Sequence, residues 1–380
     1  MQRWVAIAVL VSAGAVSAQT PGFWLTGLAP TTTSGSAPGL SQDGLVAVGG
    51  SSNGTIAPGF SWTRSGGRYD FGLEPGMPTS TYAFATDALG QTIVGSMSDS
   101  QHSPRAYRRV GNAPLENLGV LPNELRSYAQ GVSGDGSVIV GRCEHTTMGN
   151  AYGQAFRWTQ GGGMQGLGYL RPDGTFSESK GISRDGTTIV GVSQSGGPFG
   201  GPAEGFVWTA ANGMRSLPTL PNANIPDTEA EAVNRDGSVV VGVGNSSDGR
   251  SHAIRWTSAG AQDLGLLPSG RGSVAYAVSD DGSVIAGSAT VGSNMIAMVW
   301  MQPLGMVRLR DYLAGQGVSV PAGVLITTCY AVSGDGRTFA GIAQDTATSF
   351  YQGFVATIPA PSTLIVSFSL FALRRRRGSS

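Results

Sequence analysis

Lysine is almost missing from this chain. All basic side chains but Lys180 are arginine, and charged residues make up only 13% of 380 residues with a formal net charge of zero. Nucleic-acid surfaces need clustered Lys and Arg, so the composition excludes that class of partner. Four of the 24 basic residues sit in one terminal run, Arg374–Arg377, which leaves the body slightly acidic. Long apolar runs are also missing. The two most apolar segments, Trp4–Val11 and Leu364–Leu373, fall well short of the roughly 20 residues a membrane-spanning helix needs. Histidine is scarce, with His102, His145 and His252 unaccompanied by any ligand-spaced partner, so each is expected as a solvated loop side chain. No stretch carries a capped 3.6-residue period, so no long helix is predicted.

Glycine, by contrast, occurs 59 times, about twice the average usage of roughly 7%. Much of it belongs to a repeat. "VSGDGSVIVG" (Val132–Gly141) returns as "VSDDGSVIAG" (Val278–Gly287), and five further copies begin at Leu40, Thr86, Ile182, Val233 and Val332. The marker glycines are Gly44, Gly90, Gly136, Gly186, Gly237, Gly282 and Gly336, spaced by 46, 46, 50, 51, 45 and 54 residues. Only the second copy lacks the Asp of the Asp-Gly pair, with Leu89 in its place. A second motif keeps step: "GFSWT" (Gly59–Thr63), "AFRWT" (Ala155–Thr159), "GFVWT" (Gly205–Thr209) and relatives.

Each unit holds four strand-like runs: A ("GMQGLGYL", Gly163–Leu170), B ("YAQGVS", Tyr128–Ser133), C ("SVIVG", Ser137–Gly141) and D ("AFRWT"). The Asp-Gly between B and C predicts a tight hairpin turn with positive φ at Gly. One Asp per turn is too few oxygens for calcium, so turn formation explains these residues better. Near the end of B one position is always small (Gly39, Ala85, Gly131, Gly181, Ala232, Ala277, Ala331), which predicts close backbone approach around a shared axis. Four strands per 40–50 residues, seven times over, predict an all-β, seven-bladed β-propeller of four-stranded antiparallel blades across residues 19–358. Two ring closures are open: A begins a blade and D ends it, or the N- and C-terminal strands share one.

Residues 1–18 read as a signal peptide, with Arg3, the apolar core and a Val16-Ser17-Ala18 cleavage site. Export to a secreted, extracellular or cell-surface location is therefore expected. Cys143 and Cys329 fall in non-neighbouring blades, too far apart for a disulfide, and are expected as unpaired, buried thiols. No Cys-x-x-Cys pair or His cluster accompanies them, so neither metal nor cofactor is expected. "GGPFGGP" (Gly196–Pro202) lacks the Lys-Ser/Thr and helix of a phosphate loop.

The units, with "AFRWT…GGM…LG" followed by "A.AVS.DGSV.VG", resemble the bacterial extracellular HAF-type repeats over Phe23–Pro359. That resemblance implies a secreted, propeller-like protein and assigns no reaction. The C-terminal segment 359–380 resembles a PEP-CTERM sorting signal, with Pro359-Ala360-Pro361 where that signal has Pro-Glu-Pro, the Leu364–Leu373 run interrupted by Ser367 and Ser369, and the Arg cluster. It implies handling by an exosortase-type processing enzyme.

The B–C and D–A turns are short and uniform, while the A–B and C–D connections vary and emerge together on the other face. Recognition is expected on that variable face. Its ligand-binding candidates are Arg126, Arg171, Asp227, Glu229, Glu231 and Arg271, with Asp173, Arg250, His252, Tyr152, Phe176 and Phe199 nearby. Asp227, Glu229 and Glu231 share strand spacing and so one face. Paired carboxylates of this kind suit a glycan hydrolase or lyase. A polar strand edge, with Glu231 paired to Lys180 from the equivalent position of the adjacent unit, is the simpler account. No Cys-His or other nucleophilic constellation is evident, and no residue is assigned a catalytic role. The sequence thus points to an exported, non-catalytic envelope or matrix protein that binds polysaccharide or envelope-protein partners, with the glycan-active enzyme as alternative.

Overall fold

The Asp-Gly turns fold as their chemistry requires. All seven marker glycines have φ between +72° and +77°, a region that glycine enters without steric cost. In the third repeat, Ser133 Oγ donates to Asp135 Oδ1 (2.6 Å), Ser137 N donates to the same oxygen (3.0 Å), and Val138 N donates to Ser133 Oγ (3.0 Å). The Ser-to-Asp bond recurs at Ser41–Asp43, Ser183–Asp185, Ser279–Asp281 and Ser333–Asp335. In the second repeat the missing turn Asp is replaced from two residues upstream. Asp87 Oδ1 accepts Gln91 N (2.8 Å) and its Oδ2 accepts Thr92 N (2.9 Å), so one carboxylate does the work of the Ser–Asp pair.

This computed structural model describes residues 20–55, 57–71, 80–98, 103–145, 152–195 and 201–360. The predicted signal peptide, residues 361–380 of the C-terminal segment, His102 and Phe199 lie outside them. The chain enters through β1 (Gly22–Leu25). Blade 1 is β2 (Ser34–Leu40), β3 (Val46–Ser52), β4 (Gly59–Thr63) and β5 (Gly67–Phe71). Blade 2 is β6 (Ser80–Thr86), β7 (Thr92–Ser98), β8 (Arg105–Val110) and β9 (Glu116–Asn117). Blade 3 is β10 (Arg126–Val132), β11 (Val138–Glu144), β12 (Gly153–Thr159) and β13 (Gly163–Gly168). Blade 4 is β14 (Gly174–Ile182), β15 (Thr188–Ser195), β16 (Ala203–Thr209) and β17 (Gly213–Ser216). Blade 5 is β18 (Thr228–Val233), β19 (Val240–Asn245), β20 (Ser251–Thr257) and β21 (Gly260–Asp263). Blade 6 is β22 (Gly270–Val278), β23 (Ile285–Val291), β24 (Asn294–Met301) and β25 (Gly305–Arg308). Blade 7 is β26 (Val324–Val332), β27 (Thr338–Asp345) and β28 (Tyr351–Thr357), completed by β1.

The chain is therefore a seven-bladed β-propeller of antiparallel blades. Each blade runs B–C–D from the axis outward, and run A is its last strand, not its first. The ring closes by the second of the two predicted routes: β1 pairs antiparallel with β28, Trp24 opposite Val355. The widest repeat spacing, before Gly336, accommodates α1 (Leu309–Gly315), whose Leu309 and Leu313 are fully buried in the core of the last blades.

The core repeats with the blades. Phe60, Tyr107, Phe156, Phe206, Ile254, Met298 and Phe354 are fully buried, and each stands directly opposite a strand-C glycine: Gly49, Gly95, Gly141, Gly191, Gly242, Gly287 and Gly341. Those glycines are obligatory. A Cβ on any of them would sit 1.8–2.1 Å from an inner-strand carbonyl oxygen, such as that of Tyr128 for Gly141. The inner strand crowds in because it carries a β-bulge in every blade, immediately before the invariantly small position. The small position itself meets the neighbouring blade. A Cβ on Gly39 would lie 3.0 Å from Ala85 Cα, and one on Gly181 would lie 3.1 Å from Ala232 Cα.

Hydroxyls staple blade to blade. Thr81, Ser127, Ser177, Thr228 and Ser273, each four residues before the small position, accept the backbone N–H of Gly59, Ala106, Ala155, Gly205 and Ala253 in the preceding blade at 2.6–2.9 Å. Cys143 and Cys329 are free and buried, as expected. Burial pushes each thiol up to about 12, which leaves neither a nucleophile at neutral pH.

Two outcomes follow. Gly141→Ala should lower stability by roughly 1–3 kcal/mol through overpacking, whereas Gly161→Ala, with open space around its Cβ position, should shift it by less than about 1 kcal/mol; denaturant unfolding reads both. The turn aspartates are the acid-sensitive element. Ser133 and Ser137 hold Asp135 below the usual carboxylate range. At Asp185 and Asp281 burial opposes this, but the Ser and backbone donors outweigh it. A carboxylate lowered on folding stabilises above its unfolded pKa and loses that contribution as protons bind. The unfolding midpoint should therefore fall as pH drops below about 4, and Ser133→Ala should weaken that dependence.

Candidate binding site on the propeller axis

The bulge decides what faces the axis. In blade 1 it leaves two inner-strand residues unpaired with strand C, Ala37 and Pro38, and in blades 2 to 7 it leaves one, namely Phe84, Gln130, Lys180, Glu231, Tyr276 and Tyr330. Their side chains meet one another or the next blade's inner strand. Gln130 Nε2 donates to Glu178 Oε1, Lys180 Nζ donates to Glu231 Oε1 (2.6 Å) and Glu229 Oε2 (2.7 Å), and the Tyr276 and Tyr330 rings lie 4.9 Å apart. Phe84 packs on Tyr82 (4.8 Å), whose hydroxyl bonds Ser36 Oγ. Arg142 extends the network outward. It bonds Glu178 and Glu144 and lies 4.5 Å over the Tyr128 ring.

One end of the axis is tied off. The second residue of each Asp-Gly turn hydrogen-bonds the next blade's turn through the backbone: Gln42 N to Ala88 O (3.1 Å), Ala88 N to Gly134 O (3.1 Å), Gly134 N to Arg184 O (2.9 Å), Asp280 N to Gly334 O (3.0 Å) and Gly334 N to Gln42 O (2.8 Å). Between Arg184 and Asp280 the ring is bridged by side chains instead. Arg184 Nη1 reaches past blade 5 to Asp280 Oδ2 (2.9 Å), and Asn234 Nδ2 donates to Asp280 O (3.2 Å). Accessibility grows away from this rosette: the Glu231 side chain is 15% exposed, Glu229 40%.

One cation thus serves two carboxylates. Burial acts against the charge of Lys180, but Glu231 and Glu229 overcome it and hold the ammonium protonated above its ordinary range. Glu231, the more buried acid, is pushed up by burial in spite of Lys180. Burial, with the Tyr330 and Glu231 charges adding, moves Tyr276 up to about 12 against a hydrogen bond with Ser288, so its hydroxyl is neutral.

Of the sequence candidates, the structure brings together only Glu229 and Glu231. Asp227 does not join them; its Oδ1 accepts Ala203 N (3.1 Å). Arg126 lies 4.0 Å from Glu144, Arg171 is exposed and bonds Glu204, and Arg271 is exposed near the start of β22. His252 departs from its expected place in a solvated loop. It is buried within β20, Nδ1 2.8 Å from Asp263 and Nε2 3.3 Å from Asp248. His145 lies 3.9 Å from Glu124 and packs on Tyr152. Gln130, Glu178, Arg142, Tyr276 and Tyr330 had not been singled out. Their one sequence signal is position: the bulge residues directly precede the small residue in each copy. Among the described residues no three His, Cys, Asp or Glu side chains are grouped to hold a metal ion.

No protein-family model and no curated protein matches the chain. Among solved structures it is similar to a prolyl endopeptidase (11% identity, TM-score 0.57, 89% of this chain and 51% of that one). It is also similar to an oligogalacturonate lyase from Vibrio parahaemolyticus (9%, TM-score 0.54, 90% and 98%) and to a puromycin hydrolase (14%, TM-score 0.55, 90% and 57%). The chain spans about half the length of the endopeptidase. At such identities the likeness establishes the fold alone.

Lys180→Met should destabilise the protein by about 3 kcal/mol, because it strands two adjacent carboxylates. Adding Glu229→Gln and Glu231→Leu should restore most of the loss. Arg171→Gln, at an exposed pair, should leave the unfolding midpoint unchanged.

Proposed function

We propose that this chain is an exported, non-catalytic propeller of the cell envelope or extracellular matrix, which binds polysaccharide or protein partners through the face of the A–B and C–D connections. The observation that carries the reading is the engagement of Glu229 and Glu231 by one lysine, at 2.7 and 2.6 Å. An acid–base pair needs carboxylates at liberty to exchange protons with a substrate. Here both are bound by Lys180, as suits a fixed recognition surface. Export rests on the signal peptide read in residues 1–18, and surface handling by an exosortase-type enzyme on the Pro-x-Pro, apolar and Arg-rich order of residues 359–380. Divergent connections on a rigid frame support partner choice by loops.

A glycan array probed with the secreted protein tests this, with reducing-end release measured on every glycan bound. Binding without release is expected, and Asp227→Ala and Glu229→Ala should weaken it about tenfold, or roughly 1.4 kcal/mol each. Release that disappears in Glu231→Ala would establish the hydrolase or lyase instead.

A further inference from the structure

On the turn face, the residue before the D-strand tryptophan position of one blade lies near that position in the next at several joints, as with Arg108 and Trp158, Arg157 and Trp208, and Val355 and Trp62. At the joint of blades 2 and 3 the site is self-satisfied. Arg108 lies over Trp158, 4.6 Å from its centroid, and Glu116, paired with Arg108 across β8 and β9, bonds its Nε at 2.5 Å. The next joint carries the same residue types at the same positions save one. Arg157 stands where Arg108 did, Trp208 where Trp158 did, and the cross-strand partner is Gln165 in place of Glu116. The acid is gone. Arg157 forms no ion pair or hydrogen bond among the described residues, and a pocket of about 670 Å³ opens, lined by Arg157, Gln165, Thr187, Trp208 and Thr209 without any carboxylate.

From this we infer that the joint of blades 3 and 4 is a binding site for an anionic saccharide, specifically a uronate residue of a polysaccharide. The ligand's carboxylate takes the place that Glu116 fills at the sister joint, and guanidinium forks bind carboxylates in a planar, bidentate manner. The half-buried Trp208 offers an apolar plane for the C–H face of the sugar. Gln165 supplies a neutral hydrogen-bonding group for its hydroxyls, and the Thr187 hydroxyl, which donates to Asp185 Oδ1 (2.8 Å), has lone pairs left to accept. The volume falls within the roughly 300–1,000 Å³ of small-molecule sites. The pocket at the joint of blades 7 and 1, about 520 Å³, lacks this chemistry. Val355 replaces the arginine, and the cation lining it, Arg64, already lies over Trp24 (4.7 Å) and donates to Thr20 O (3.0 Å).

The site is on the face opposite the variable connections, so it stands or falls separately from the loop-face reading. Calorimetric titration of the intact protein with hexamannuronate, an anionic oligomer, and with mannohexaose, its neutral counterpart, tests it. Hexamannuronate should bind at least tenfold more tightly. Gln165→Glu, which rebuilds the ion pair of the sister joint, should cost at least tenfold in affinity at unchanged thermal stability, as should Arg157→Gln. Absence of hexamannuronate binding, equal affinity for mannohexaose, or full affinity in Gln165→Glu would overturn the assignment.

Discussion

Seven carbonyl oxygens press on seven glycines, and the rest of the molecule follows from that contact. The inner strand of each blade bulges so that its carbonyl comes within 1.8–2.1 Å of where a strand-C side chain would begin. Only glycine can stand there. Its missing side chain leaves room that the large residue opposite on strand D occupies, fully buried in all seven blades. The same bulge reverses the side-chain alternation for one residue. That residue turns to the axis, and the next must be small because the adjacent blade's backbone is there. Glycine, bulge, small residue and large apolar wedge are one device, and the wedge varies only among large side chains, with Ile254 and Met298 in blades 5 and 6.

Much of this was legible. The period, the Asp-Gly turns and the alternating apolar strands are local signals, and they yield the fold class and the number of blades. The small position was correctly read as a point of close approach. The bulge beside it was not read, since a bulge is a shift of register between two strands and leaves no composition of its own. The axial network was therefore missed, except for the Lys180–Glu231 pair, which equivalent positions in adjacent units exposed. Ring closure was undecidable because β1 and β28 are separated by almost the whole chain. The interblade hydroxyls were legible in principle, as Ser or Thr four residues before the small position in blades 2 to 6. The candidate residues were read from their place on the variable connections and, for Asp227, Glu229 and Glu231, from strand spacing, and neither says what converges.

Polar chemistry is distributed unequally over this symmetric frame. Blades 3 to 5 contribute Gln130, Arg142, Glu178, Lys180, Glu229 and Glu231 to the axis, while blades 2, 6 and 7 contribute Phe84, Tyr276 and Tyr330. One half of the inner wall is thus ionic and the other aromatic, although Gln130, Lys180, Glu231, Phe84, Tyr276 and Tyr330 all hang from the same bulge. The backbone fixes position and the individual repeat fixes character. The second repeat makes the same point at the turn, where Asp87 restores a hydrogen-bonding pattern after Leu89 removed its usual acceptor.

Blade 7 joins the two ends of the chain, and this has a mechanical meaning. β28 lies between β27 and β1, hydrogen-bonded along both edges, with Thr357 paired to Gly22 on one side and to Thr338 on the other. Tension transmitted from beyond residue 360 arrives at β28 first and runs along the strand. Both rows of bonds then bear load in parallel, in shear, instead of parting one at a time as in a peeled hairpin. A chain tethered by its C-terminal end would thus be held at a strand bonded along both edges, and that seam is complete only after the last blade has been made.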